Sequence, residues 1–221
     1  SGEMINGTPH LKASITNTGL LNEPNIYQGE FLNYEPFGKG ELLLGDRVIY
    51  RGHFKKGKMN GYGEEYFNST GEIKYKGLFK NGKYDGNDGT LYVLTSNKPR
   101  IQYIGNFKNG LFDGHGTYYS KNNQIEYEGS FESGIRKGYG ILYFEQPEKE
   151  WKYKGNFSNN KFEGTGTLRD IDETGKPYIK YLNQTFADGS IKDYAEELNP
   201  DGSVHYRGHF KNGRLVSIVS N

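Results

Sequence analysis

Along most of this chain, aromatic residues and glycines alternate with polar residues at a period of two, and the alternation itself recurs about every two dozen residues. Its phase is marked by Tyr-x-Gly-x-Phe, found at Tyr27-Gly29-Phe31, Tyr50-Gly52-Phe54, Tyr75-Gly77-Phe79 and Tyr103-Gly105-Phe107. Further copies follow at Tyr127-Gly129-Phe131, Tyr153-Gly155-Phe157 and Tyr206-Gly208-Phe210, with a worn one between them in which Asn183 replaces the glycine after Tyr181. Successive marker tyrosines lie 23, 25, 28, 24, 26, 28 and 25 residues apart. After the phenylalanine comes a turn such as "KNGKYDG" or "ESGIRKG", where positive φ is cheap. A Gly-x-Gly follows at Gly38/Gly40, Gly61/Gly63, Gly114/Gly116, Gly138/Gly140 and Gly164/Gly166, and the third copy carries one extra residue in "GNDG" at Gly86–Gly89. Two alternating runs joined by such a turn predict a β-hairpin. The links "NSTGE", "DETGKP" and "NPDG" are turn-forming too and chain one hairpin to the next. The expected fold is therefore all-β, an elongated single-layer array of about seven consecutive antiparallel hairpins. Only "DYAEEL" suggests a short helix.

Strand alternation sorts residues onto two faces. Tyr, Gly and Phe of each first strand share one face with Leu42, Leu91, Tyr118, Leu142 and Leu168 of the second strands. Arg51, His53, Lys76, Glu128 and Lys154 fall on the other face. So does a column three residues beyond the Gly-x-Gly: Leu43, Tyr66, Tyr92, Tyr119, Tyr143 and Arg169.

"YxGxFxxGxxxGxG" in this spacing resembles the MORN (membrane occupation and recognition nexus) repeat family, whose members are extended β-hairpin arrays. The match covers residues 26–214 as six clear copies, one degenerate and one truncated. Residues 1–25 read as a lead-in, with Ser1 and Gly2 as a cloning remnant, and residues 215–221 as an end strand. This chain departs from the family in using Phe where Trp is common and in its longer links. The resemblance implies scaffolding or targeting. Some relatives carry a SET methyltransferase or lipid kinase domain behind the repeats; no region here resembles either.

Composition narrows the chemistry. Hydrophobic residues make up 33%, yet the chain holds 19 Tyr, 13 Phe and 32 Gly, which fits thin aromatic layers better than one deep core. The absence of cysteine removes disulfides, thiolate metal sites and thiol nucleophiles. No apolar run approaches the ~18 residues of a membrane-spanning helix. The Gly-x-Gly pairs feed strands and lack the Lys-Ser/Thr of a phosphate loop. Glu64/Glu65 and Glu196/Glu197 are adjacent on strands and point to opposite faces, so they cannot share a substrate. The five histidines lack ligand spacing; His205 and His209 share a face without a third ligand. The sequons at Asn6, Asn68, Asn156 and Asn183 are what an Asn-rich chain produces by chance. No enzyme, cofactor or metal is expected, and a formal net charge of +1 points away from nucleic acid.

Binding remains. The leading expectation is a protein or peptide partner held by the tyrosine ladder Tyr66, Tyr92, Tyr119 and Tyr143. An alternative groove is the first-strand face with Tyr75, Phe79, Tyr103, Phe107, Tyr127 and Phe131. A different class is anionic lipid: residues 47–108 carry 12 Lys/Arg against 5 Asp/Glu, while residues 109–205 carry 11 against 16. Lys55, Lys56, Lys58, Lys80 and Lys83 are the contacts such a membrane module would use. The open strand edges of an array and the apolar end "LVSIVSN" suggest a homodimer as a third reading. A cytoplasmic or peripheral-membrane location suits all three.

Overall fold

The computed structural model describes residues 3–5, 8–16, 26–96, 98–145 and 150–219, the first two stretches by their strand pairing. Among these residues there are twenty strands and no helix, and the chain divides into two compact units, residues 1–111 and 112–221. In the first unit β1 (Glu3–Ile5), β2 (Thr8–Thr16), β3 (Ile26–Leu32), β4 (Glu35–Leu44), β5 (Arg47–Lys55), β6 (Lys58–Tyr66) and β7 (Ile73–Lys80) each pair antiparallel with the next. The second strand of the third hairpin is split into β8 (Lys83–Tyr84) and β9 (Gly86–Thr95), and β10 (Lys98–Lys108) pairs with β9.

The second unit repeats the plan with β11 (Leu111–Tyr119), β12 (Ile125–Glu132), β13 (Ile135–Tyr143), β14 (Trp151–Ser158), β15 (Lys161–Ile171), β16 (Pro177–Ala187) and β17 (Ser190–Ile191). A separate three-stranded sheet of β18 (Asp193–Leu198), β19 (Val204–Lys211) and β20 (Arg214–Ile218) follows. "DYAEEL" is thus a strand and not a helix: Tyr194, Glu196 and Leu198 alternate against Ala195 and Glu197, and β19 supplies the ladder partners.

Local chemistry explains the hairpins. The tight turns place two successive residues at positive φ, as at Asn81/Gly82 (52°, 81°), the backbone shape that matches strand twist. The turn glycine then donates its N–H to a carbonyl of the preceding hairpin: Gly82 to Met59 at 2.9 Å in the first unit, Gly134 to Phe112 at 2.8 Å in the second. The extra residue of "GNDG" is absorbed by Asp88 at φ 57° and a register shift, so that Gly86 faces Phe107 and Gly89 still faces Gly105.

Register brings the marker glycines side by side. Gly29, Gly40, Gly52, Gly63 and Gly77 stand opposite one another across β3–β7, and Gly116, Gly129, Gly140, Gly155 and Gly166 across β11–β15. The marker tyrosine lies flat on this bare backbone track. A Cβ on Gly63 would sit 2.3 Å from the Tyr50 hydroxyl oxygen, and one on Gly140 at 2.3 Å from that of Tyr127. Lying down, each ring carries its hydroxyl to the carbonyl three residues on: Tyr50 donates to His53 (3.1 Å), Tyr75 to Leu78 (3.1 Å), Tyr127 to Ser130 (3.0 Å) and Tyr153 to Asn156 (3.1 Å).

The same rings pack edge to face with the Phe of their own strand and of the next copy. Tyr50 meets Phe54 at 5.2 Å and Phe79 at 5.0 Å; Tyr127 meets Phe131 and Phe157, both at 5.1 Å. Pairs of this geometry contribute about 0.5–1.5 kcal/mol each beyond buried area. A third layer covers the tyrosines from the start of a second strand. Tyr84 stacks on Tyr75 at 3.8 Å, Phe162 on Tyr153 at 3.9 Å, and the Arg136 guanidinium lies 4.9 Å from the centre of Tyr127.

Candidate binding surface

The first-strand face is therefore the core. Tyr75, Tyr103 and Tyr127 are 0% exposed, Phe79 and Phe107 3%, and Phe131 6%. The six residues of the alternative groove are filled with one another and with the rings above them. One sheet buries its own aromatic face because each tyrosine lies down instead of standing up, which removes the need for a second sheet.

The opposite face carries the chemistry open to solvent. Its middle row runs Glu41, Arg51, Glu64, Lys76 across β4–β7, with signs alternating so that neighbours pair. Arg51 reaches Glu41 at 2.6 Å and Lys76 reaches Glu64 at 3.5 Å. The hydrogen bond and field of Glu41 hold the Arg51 guanidinium above its usual value. Exposed pairs of this kind contribute about 0–1 kcal/mol, so the row shapes the surface more than it stabilises it. A shallow depression of about 560 Å³ opens over it, lined in part by Arg51, His53, Tyr62 and Glu64.

Next to that row in the first unit stand Tyr66 and Tyr92, and on the corresponding face of the second unit Tyr119 and Tyr143, all half-buried. A β-bulge before each marker tyrosine after Tyr27 shifts the register and turns the residue two before it onto this face. The first unit thereby sets Tyr66 against Ile73 and Tyr92 against Ile101. The second sets Tyr119 against Ile125 and Tyr143 against Trp151. Tyr66 donates to Glu64 at 2.8 Å and Tyr143 to Glu128; burial first, then the carboxylate bond, pushes both phenols above their ordinary value. Trp151 is flanked by the Lys154 ammonium at 4.4 Å and the Arg169 guanidinium at 4.8 Å. Ile73, Ile101, Ile125 and Trp151 are the surface residues that counting by twos misses. Their signal was present, since Val48, Ile73, Ile101, Ile125, Trp151, Ile179 and Val204 each stand two before a marker tyrosine.

Lys55, Lys56, Lys58, Lys80 and Lys83 are all exposed on the tips of two neighbouring hairpins in the first unit. Lys55, Lys56, Lys58 and Lys80, with Asn60, Asn81 and Asp85, border an open depression of about 580 Å³. None of the five forms an ion pair with the described residues, whereas tip lysines of the second unit do, Lys137 with Glu132 and Lys161 with Asp188 at 3.3 Å. Among the described residues no group of three His, Asp or Glu could hold a metal, and no helix is long and apolar enough to cross a membrane.

An array of hairpins zipped by a glycine track and lying tyrosines defines a repeat scaffold. Comparison with protein families places the chain directly: the MORN repeat model matches residues 27–46, 50–71, 75–87, 103–125, 127–146 and 153–174, more than half of its length. The chain belongs to the MORN repeat family, a non-enzymatic type of repeat. No curated protein matches it. The worn copy after Tyr181 and the last copy at Tyr206 fall outside the matched segments.

Proposed function

We propose that the protein is a non-catalytic scaffold that holds an extended segment of a partner protein against a tyrosine–isoleucine stripe on the solvent face of a unit, Tyr66 and Tyr92 in the first and Tyr119 and Tyr143 in the second. The observation that carries this is the pairing of half-exposed aromatic and branched side chains beside a charged row. Aromatic rings with few rotors give large contact area at small entropic cost, and flanking charges select the partner. The hydroxyls of Tyr92 and Tyr119 have no partner among the described residues and are free to bond a peptide backbone. The test is panning a displayed peptide library on the wild-type chain and on a Tyr92→Ala/Tyr119→Ala variant. Peptides that lose at least tenfold in affinity for the variant, at unchanged melting temperature, support the reading. Equal binding to both would remove the stripe from consideration.

The unpaired lysines at the tips of the first unit favour a second reading, recruitment to an anionic membrane at about 1 kcal/mol per basic residue near the surface. Co-sedimentation with phosphatidylserine vesicles at low and high salt, with Lys55, Lys56 and Lys80 changed to Glu as control, separates it from the first. Salt-sensitive binding lost in the variant supports it, and absence of sedimentation ends it.

A further inference from the structure

The sequence Phe-Lys-Asn-Gly forms a hairpin tip three times, at Phe79–Gly82, Phe107–Gly110 and Phe210–Gly213. All three asparagines are exposed and share one backbone shape, with φ 52° at Asn81, 53° at Asn109 and 52° at Asn212. Sequence and conformation are thus matched around the three Asn-Gly bonds, and what differs is the glycine amide. Gly82 donates its N–H to Met59 at 2.9 Å and Gly110 donates to Tyr84 at 2.8 Å. In each case the acceptor stands two residues past the tip glycine of the hairpin before, Gly57 or Gly82. For Gly213 that position is Ile191, two past Gly189. There β17 ends, the backbone turns at Asp193 with φ 58°, and the separate sheet begins. The tip still lies close to Ser190, whose side chain would stand 3.3 Å from a Cβ on Gly213. Among the described residues, however, the Gly213 N–H has no hydrogen-bond acceptor.

That amide is the reactive group of an Asn-Gly bond. Once deprotonated, the glycine nitrogen attacks the asparagine side-chain carbonyl, and the missing Cβ leaves its path open. An N–H held by a neighbouring hairpin loses its proton and turns toward the side chain only when the tip opens locally. We infer that Asn212 is a modification site, the one of these three tips that converts to isoaspartate and aspartate while the chain stays folded. Gly213 N bonds to Asn212 Cγ, the Cγ–Nδ2 bond breaks, and ammonia leaves. Water then adds to either carbonyl of the cyclic imide, so that the main chain runs again through the backbone carbon as aspartate or through Cγ as isoaspartate. Nothing is oxidised or reduced. Both products place a carboxylate between Lys211 and Arg214. Isoaspartate also lengthens the turn by one backbone carbon, which misaligns the Lys211↔Arg214 pair and loosens β20 from β19. The inference is independent of where a partner peptide binds.

Ageing the full chain at mildly alkaline pH, folded and in urea, tests it, with the three tips followed by mass spectrometry of proteolytic fragments. In urea the three asparagines are expected to convert at one rate. In the folded chain Asn212 is expected to convert about tenfold faster than Asn81 or Asn109, the factor that one hydrogen bond between hairpins supplies. Amide exchange in β20 is expected to quicken as the chain ages, and to stay constant in an Asn212→Gly variant, a change that this turn accepts. Unequal rates in urea, equal rates at the three folded tips, or faster conversion at Asn81 or Asn109 would each overturn the inference. So would a β20 whose exchange is indifferent to the conversion.

Discussion

Two stretches of the second unit use the same aromatic vocabulary and build different structures. From β12 to β15, Tyr127 and Tyr153 lie on the glycine track, donate to backbone carbonyls and zip to their phenylalanines at 5.1–5.3 Å. From β16 onward the track is gone: Asn183 replaces the first glycine, Gln184 faces Gly166, and Asp193 and Ala195 occupy the Gly-x-Gly positions. Tyr181 cannot lie across that backbone. Its hydroxyl goes instead to the Glu197 carboxylate at 2.6 Å, which also accepts from Tyr206 at 2.9 Å and sits 3.7 Å from the Lys180 ammonium. Tyr181 keeps its contacts with Phe186 and Phe210, but at 6.4 and 6.1 Å. At this point the long sheet ends and a new one begins. In this unit the sheet is continuous where the glycine track runs, and where the track is lost a carboxylate ties two sheets together through side chains.

The largest way to break both regions is alkali. Burial pushes the phenol of Tyr127 up to about 12, and burial likewise raises Tyr50, Tyr75, Tyr153 and Tyr181 well above the ordinary phenol. A raised folded value means stability that is complete below the unfolded phenol value near pH 10 and is lost as pH rises above it. Tyrosinate absorbance is expected to appear together with loss of β-sheet circular dichroism in one steep transition above about pH 10. Gradual ionisation with the sheet intact would contradict the burial described here.

Next in size is a methyl group on the track. Gly140→Ala puts a Cβ against the Tyr127 ring and is expected to cost about 3 kcal/mol in urea unfolding. The reverse change at the worn copy, Ala195→Gly, is expected to cost about 1–2 kcal/mol, from backbone entropy and the loss of one buried methyl. Equal effects would mean that the track is not the difference between the regions. Glu197→Ala sharpens the contrast, since it leaves the Tyr181 and Tyr206 hydroxyls without their acceptor, at a cost of about 2 kcal/mol. Proteolysis is then expected to release the 193–219 block before the β12–β15 region. The smallest effect falls to Tyr153→Phe, which gives up one neutral hydrogen bond for about 1 kcal/mol. Differential scanning calorimetry of these variants orders them.

The sequence by itself determined the repeating hairpins, their turns and the place where the pattern wears out. All of these depend on periods, on Asn-Gly pairs and on glycine spacing, which are local and countable. It also contained the tyrosine ladder at Tyr66, Tyr92, Tyr119 and Tyr143. Which face closes was decided only in three dimensions. A single sheet has no opposing layer to mark its inner side, and burial depends on a tyrosine lying across a neighbouring strand's glycine. The isoleucines and Trp151 opposite the ladder were hidden for a related reason. Parity puts a residue two before the marker tyrosine on the core side, and one bulged residue in each copy from the second onward, set by the register between strands, turns it outward.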